Sequence, residues 1–160
     1  MMKVEKWPLF ITLIGFSLCL GSIVAFISMN ILKDSSTTEL IFWQRKFING
    51  IMNIATIPGL LLFLIGNIGL YFFSKYKREK WVIFRLIIPA IITMNGLMFI
   101  VPLANKVNEI AFHQYKTSTI LTEFTSLKSI EDTLGGLNLL LLLFYLIIIC
   151  FSIYSIKLEK

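Results

Sequence analysis

Charge is what most of this chain lacks. Four stretches, approximately 7–32, 47–73, 81–104 and 134–156, hold a single charged residue between them, Arg85. A soluble domain of this length would alternate apolar and polar positions or carry striped helices, so that class is excluded. Carboxylates are missing from all four stretches, which removes the intramembrane acid that small multidrug transporters use. His113 is the only histidine, too few for a cytochrome that bridges haem between paired intramembrane histidines. Cys19 and Cys150 are the only cysteines and form no CxxC motif. Counted from the same membrane face they differ in depth by roughly 9 Å, beyond the reach of a disulfide. Quinone-linked thiol–disulfide chemistry is therefore disfavoured, and both read as small packing residues. There is no P-loop, HExxH or GxSxG pattern, no aligned arginine series, no internal repeat and no low-complexity tract.

What is present is hydrocarbon. Of 160 residues, 57% are hydrophobic, which leaves no room for a separate soluble domain. Each apolar stretch reaches the roughly 20 residues that a helix needs to cross a bilayer core. Lipid offers the backbone no hydrogen-bond partner, so these stretches must be helices. The expected fold is all-α, a four-helix transmembrane bundle threaded up-down-up-down, with one integral membrane domain over 1–160. The first stretch is too long for a signal peptide, and no A-x-A-like site follows it. Leu18 rather than a small residue precedes Cys19, so a lipoprotein signal does not fit either, and the stretch is expected to remain as the first span.

The net charge of +6 is placed as a topology signal rather than as a nucleic-acid patch. Lys3, Lys6, Lys75, Lys77, Arg78, Lys80, Arg85, Lys157 and Lys160 fall on one side, against Glu5, Glu79 and Glu159. The other side carries as many acidic as basic residues. The positive-inside rule then places both termini and the basic segment 74–80 in the cytoplasm of a multi-pass inner-membrane protein.

Local signals refine this map. Trp7-Pro8 opens the first span, and Ser17 with Gly21 offers a small-xxx-small face to another helix. Ser36 and Glu39 read as a capping box, starting a helix that carries Trp43, Arg45 and Lys46 at the outer headgroups. Pro58-Gly59 predicts a kink in the second span, and Pro89 and Pro102 predict bends in the third. Tyr71, Phe72 and Phe73 form an aromatic belt, and Arg85 is expected to snorkel to the cytoplasmic surface. Residues 106–115 can continue the third helix beyond the membrane, with a break at Thr117, Ser118 and Thr119. Ser129 and Asp132 are placed to cap the fourth helix, whose 139–150 portion should face lipid over much of its circumference.

The polar residues gather in the outer half. Asn49, Asn53 and Thr56 follow i, i+4, i+7 on one face of the second span. Asn95 lies near the middle of the third span and Asn105 at its outer end, while Asn138 lies about one turn into the fourth. Amides in lipid seek partners, so one reading is polar glue between helices. The other is a ligand pocket in which Asn53, Thr56, Asn95, Asn105 and Asn138 orient a molecule, with Arg45, Glu109 and His113 at its mouth. Asn105, Glu109 and His113 follow i, i+4, i+8. Glu109 and His113 are thus weak catalytic candidates for proton transfer. With Glu39 and Asp34 as the nearest other ligands, they fall short of a metal site, and no metal or cofactor is expected.

Segment 96–108 (GLMFIVPLANKVN) resembles small four-helix membrane proteins related to anthrone oxygenase, in which a span ends in a V-P-x-N-like stretch. Here Val101, Pro102, Leu103, Ala104 and Asn105 carry it, with one extra residue before the Asn. The resemblance implies a four-span bundle with a longer outer connector before the last helix, and Asn105 as the position to transfer. Three functions stay open: a protein that binds an apolar small molecule or a membrane-protein partner in the outer-half polar layer; an enzyme on a lipophilic aromatic or quinone-like substrate; and a structural subunit of a membrane complex. The lipid bilayer is the expected surrounding of each, and nucleic acid is not an expected partner.

Overall fold

The computed structural model describes residues 6–31, 37–73, 80–119 and 121–158, with side chains over 7–30, 37–73, 83–119 and 121–149. Lys33, Asp34, Ser36, the basic segment 74–79 and the side chains of Trp81 and Cys150 lie outside these residues. The elements are α1 (Lys6–Ile31), α2 (Thr38–Ile51), a π-helical turn (Met52–Thr56), α3 (Ile57–Phe73), α4 (Lys80–Asn95), a second π-helical turn (Gly96–Ile100), α5 (Val101–Thr117) and α6 (Thr122–Leu158). Each π-turn joins its flanking helices without a break, so α2–α3 and α4–α5 are single rods. The result is an all-α bundle of four rods, each long and apolar enough to cross a membrane.

Three rods outrun the bilayer. Thr38–Phe73 has 36 residues, about 54 Å of helix against a hydrocarbon core of about 30 Å. The second rod therefore begins well before the apolar stretch at 47, and the third runs on past 104 to Thr117. The fourth starts at Thr122 rather than near 134, so Ser129 and Asp132 lie inside α6 and do not cap it. The α2 cap is Thr37, whose side chain accepts a hydrogen bond from the Leu40 amide at 3.3 Å. The third rod stops where Ser118 adopts the left-handed region at φ 53°, at the break expected from the Thr-Ser-Thr run.

The rods form a ring in which α1 packs on α3, α3 on α4, and α4 on α6, with a sparse seam between α1 and α6. The near half holds Lys6, Phe73, Lys80 and Leu158; the far half holds Ile31, Thr38, Thr117 and Thr122. The α1–α3 contact is the tightest. Pro8, Thr12, Gly15, Cys19 and Ser22 line the buried face of α1 at helical spacing. A Cβ on Gly15 would lie 2.7 Å from Phe63 Cα, and one on Gly66 would lie 2.8 Å from Thr12 Cα. Only glycine permits that approach, by the same small-residue logic expected of membrane helices. The glycines that provide it are not the expected ones. Ser17 and Gly21 sit on the opposite, exposed face of α1, and a Cβ on Gly21 would meet nothing within 4 Å.

Below the middle, the near half is filled. Leu60, Phe63, Ile88, Ile92, Leu142, Tyr145 and Ile148 form one buried cluster with Cys19. Phe63 meets Tyr145 edge-on at 4.8 Å, and Phe16 leans on both rings. The Tyr145 hydroxyl donates to Asn67 Oδ1 at 2.6 Å, and Asn67 Nδ2 donates to the Phe63 carbonyl at 2.8 Å. Arg85 is half-buried and faces the Tyr145 hydroxyl. Its Nε has no hydrogen-bond partner among the described residues. Cys19 is a buried free thiol. In the far half, α2, α5 and α6 continue without α1 and bury a small core of Ile41, Val107, Ala111 and Phe124.

Candidate functional site

The far half of the bundle contains a cavity of about 300 Å³, lined by all four rods. Its floor is Cys19, Leu60, Ile92 and Leu142, the top of the packed core. Both π-turns border it: Met52 and Thr56 from the first, Gly96 and Ile100 from the second. The two turns have one local cause. A proline follows each by two residues, Pro58 after Thr56 and Pro102 after Ile100. A proline ring inside a helix clashes with the carbonyl four residues back and donates nothing to it. The backbone widens instead, and the Ile57 and Val101 amides reach back five residues to the Met52 and Gly96 carbonyls. The kink expected at Pro58-Gly59 thus takes the form of an extra residue in the turn before it, and such turns recur at functional sites.

The wall on α6 is made of Gly135 and Gly136, and a Cβ at either would meet nothing within 4 Å. The exposed lining residues, Ile27, Asp132 and Gly136, all belong to α1 or α6. The cavity therefore opens sideways through the α1–α6 seam. Asn30 Nδ2 donates to Asp132 Oδ1 across that opening at 3.2 Å.

An ion pair closes the far end. Arg45 on α2 and Glu131 on α6 are each only 2% exposed, and Glu131 lines the cavity. One guanidinium nitrogen, Nη2, faces both carboxylate oxygens, bonding Oε1 at 2.9 Å and lying 2.8 Å from Oε2. Arg45 Nε and Nη1 and Glu131 Oε2 have no hydrogen-bond partner among the described residues. Removing two charges from water costs several kcal/mol per ion, so each partner depends on the other. By charge and position in the sequence, Arg45 is expected at the headgroups and Glu131 in a connector. Their joint burial has a signal only in hindsight: Ile41, Arg45, Ile48 and Met52 share one helical face, with the arginine inside an apolar stripe.

The structure brings some of the expected residues together and separates others. Thr56 and Asn138 line the cavity. Asn95 stands behind Asn138, donating to its Oδ1 at 2.8 Å, while Asn138 Nδ2 donates to the Ile92 carbonyl at 3.4 Å. Those bonds tie α4 to α6, as polar glue would. Asn53 is exposed and bonds back only to Asn49 of its own helix. Asn105, Glu109 and His113 are exposed on α5 and none of them lines the cavity. They point away because Ala104, Val107 and Ala111 take the inward face of that helix. Asn30 and Ser22, set in the apolar first span, complete the polar lining.

An aromatic and basic cluster lies farther out. Phe42 stacks on Tyr115 at 4.8 Å, and Lys46 and Lys116 sit over Trp43 and Phe112 at 4.9 and 4.2 Å. Among the described residues, no three of His, Cys, Asp and Glu converge as metal ligands would. No protein-family model, curated protein or solved structure matches this chain, so its function is argued from the bundle and its cavity.

Proposed function

We propose that this is a small bacterial-type inner-membrane protein that binds an apolar small molecule in the far-half cavity. Both termini and the basic segment 74–79 lie in the cytoplasm, which makes the far half the outer leaflet side. The observation that carries the reading is the contrast inside one core. Leu60, Phe63, Ile92 and Leu142 are packed to near completion, yet immediately above them four rods leave about 300 Å³ unfilled. Interiors are normally packed like organic crystals. That volume falls at the lower end of small-molecule pockets, which are mostly apolar with a few polar groups. The glycine wall on α6 and the sparse seam give the ligand a lateral route from the lipid.

The enzyme reading has no support at this site, because Glu109 and His113 are exposed and away from the cavity. The test is purification in a mild detergent with mass spectrometry of the small molecules that accompany the protein. A lipophile retained by the wild type and lost from Gly135→Leu is expected. Equal recovery of bulk phospholipid alone from both proteins would sink the proposal. Orientation is checked separately by thiol labelling of Lys77→Cys in intact cells, which should be unreactive to an impermeant reagent.

A further inference from the structure

The far end carries a surface that the cavity does not explain. On α2, Glu39, Trp43 and Lys46 follow i, i+4, i+7; on α5, Glu109, Phe112 and Lys116 follow i, i+3, i+7. All six are exposed, and the stack of Phe42 on Tyr115 joins the two helices between them. Phe112 and Lys116 lie eight and twelve residues past 104, where the third apolar stretch ends, about 12 and 18 Å along the helix. A headgroup layer is about 5–8 Å deep. Phe112 and the rings level with it therefore stand in water above the lipid, where exposed aromatics mark a contact site. We propose that this face pairs with the same face of a second copy, forming a two-fold dimer with α2 of each copy against α5 of the other.

The charges choose the partner. The Phe42 ring stacks on Tyr115 and lies 5.7 Å from the Phe112 ring, which sets the register of the antiparallel α2 and α5. Counted from there, Lys46 is level with Glu109, and Glu39 with Lys116. Among the described residues none of these four is ion-paired; the two ammonium groups lie over Trp43 and Phe112 instead. The face thus carries two positive and two negative groups, each sign on one diagonal. An acidic or a basic partner would gain from one diagonal and lose on the other. A second copy gains on both. Copies inserted the same way are related by a two-fold axis along the membrane normal, which keeps every residue at its own depth and sets α2 opposite α5. Lys46 of each copy then meets Glu109 of the other, and Glu39 meets Lys116, with the rings between them. Such a self-complementary contact closes at two copies.

The wild-type protein, Lys46→Glu, Glu109→Lys and an equimolar mixture of the two variants are compared by sedimentation equilibrium in a density-matched mild detergent. The wild type is expected to dimerise reversibly. Each variant alone sets like charges against each other at two places, and should dimerise at least about tenfold more weakly. The mixture should return to within about threefold of the wild type. In a mixed dimer the two reversed charges meet each other, and the unchanged Glu109 and Lys46 meet as before. A pairing inside one chain could not be rescued by mixing. A wild type that stays monomeric at every concentration would overturn the dimer. Variants that dimerise as the wild type does would remove this face as the interface. Weakened variants that mixing does not rescue would overturn the pairing of α2 with α5. Lys46 and Glu109 line no part of the cavity, so each of these outcomes leaves the binding reading standing.

Discussion

The two halves of this bundle are built from the same residue types and reach opposite ends. In the near half, α1 and α3 touch backbone to backbone through Gly15 and Gly66, and Phe16, Phe63 and Tyr145 fill the remaining space. In the far half, Gly135 and Gly136 face open space, and the rods beside them are widened by π-turns. Glycine thus closes one half and opens the other. The residue does not decide which; the presence of a neighbouring backbone does. Polar groups divide less cleanly. Asn67 and Tyr145 bond to each other in the near half, where Arg85 Nε is left without a partner among the described residues, and Asn30, Arg45 and Glu131 keep unpartnered atoms in the far half.

The largest effect should come from the far-half ion pair. Glu131→Ala leaves Arg45 buried and unpaired, and should cost about 3–5 kcal/mol in reversible unfolding in detergent. The double variant Arg45→Met with Glu131→Leu should recover most of that loss, because no buried charge remains. A Glu131→Ala protein as stable as wild type would mean that the pair does not close the cavity.

The next effect tests the contrast between glycines directly. Gly66→Leu drives a side chain into the α1 backbone and should cost about 1–3 kcal/mol or more. Gly135→Leu projects into empty volume and should change thermal stability by no more than about 0.5 kcal/mol in either direction. Equal losses from the two would erase the distinction between a packed half and an open half.

The smallest effect lies in the near half. Tyr145→Phe removes the hydroxyl that donates to Asn67 Oδ1. It should cost about 1 kcal/mol, within the modest range of hydrogen bonds between membrane helices. The complementary change Asn67→Leu with Tyr145→Phe should cost less than the sum of the single changes. Additive losses would show that the two side chains act independently.

Much of the frame is readable from the chain alone. Uncharged runs of membrane length specify helices one at a time, because lipid leaves the backbone no alternative. The extension of the third rod along residues 106–115 and its break at Thr117–Thr119 follow from local composition in the same way. The site is only half readable. Asn138 and Thr56 can be placed by depth, and they do line the cavity. Asn53, of the same depth and residue class, cannot be told apart from them; it bonds to its own helix and faces outward. The charge of Arg45 assigns it to the surface, but the inward face of α2 carries it into contact with a carboxylate 86 residues away.

The sequence by itself determined that the chain is helical and how many rods it forms. Those properties depend on hydrogen bonds within one helix and on transfer of that helix into lipid. Which face each rod buries, which glycines touch and where space is left were decided only by tertiary structure. They depend on the rotation of one rod against another, and four nearly uniform apolar surfaces carry little stripe to announce it. The cavity is a property of that arrangement: two proline-widened turns and two glycines border it, and α1 approaches the glycine-bearing rod only loosely.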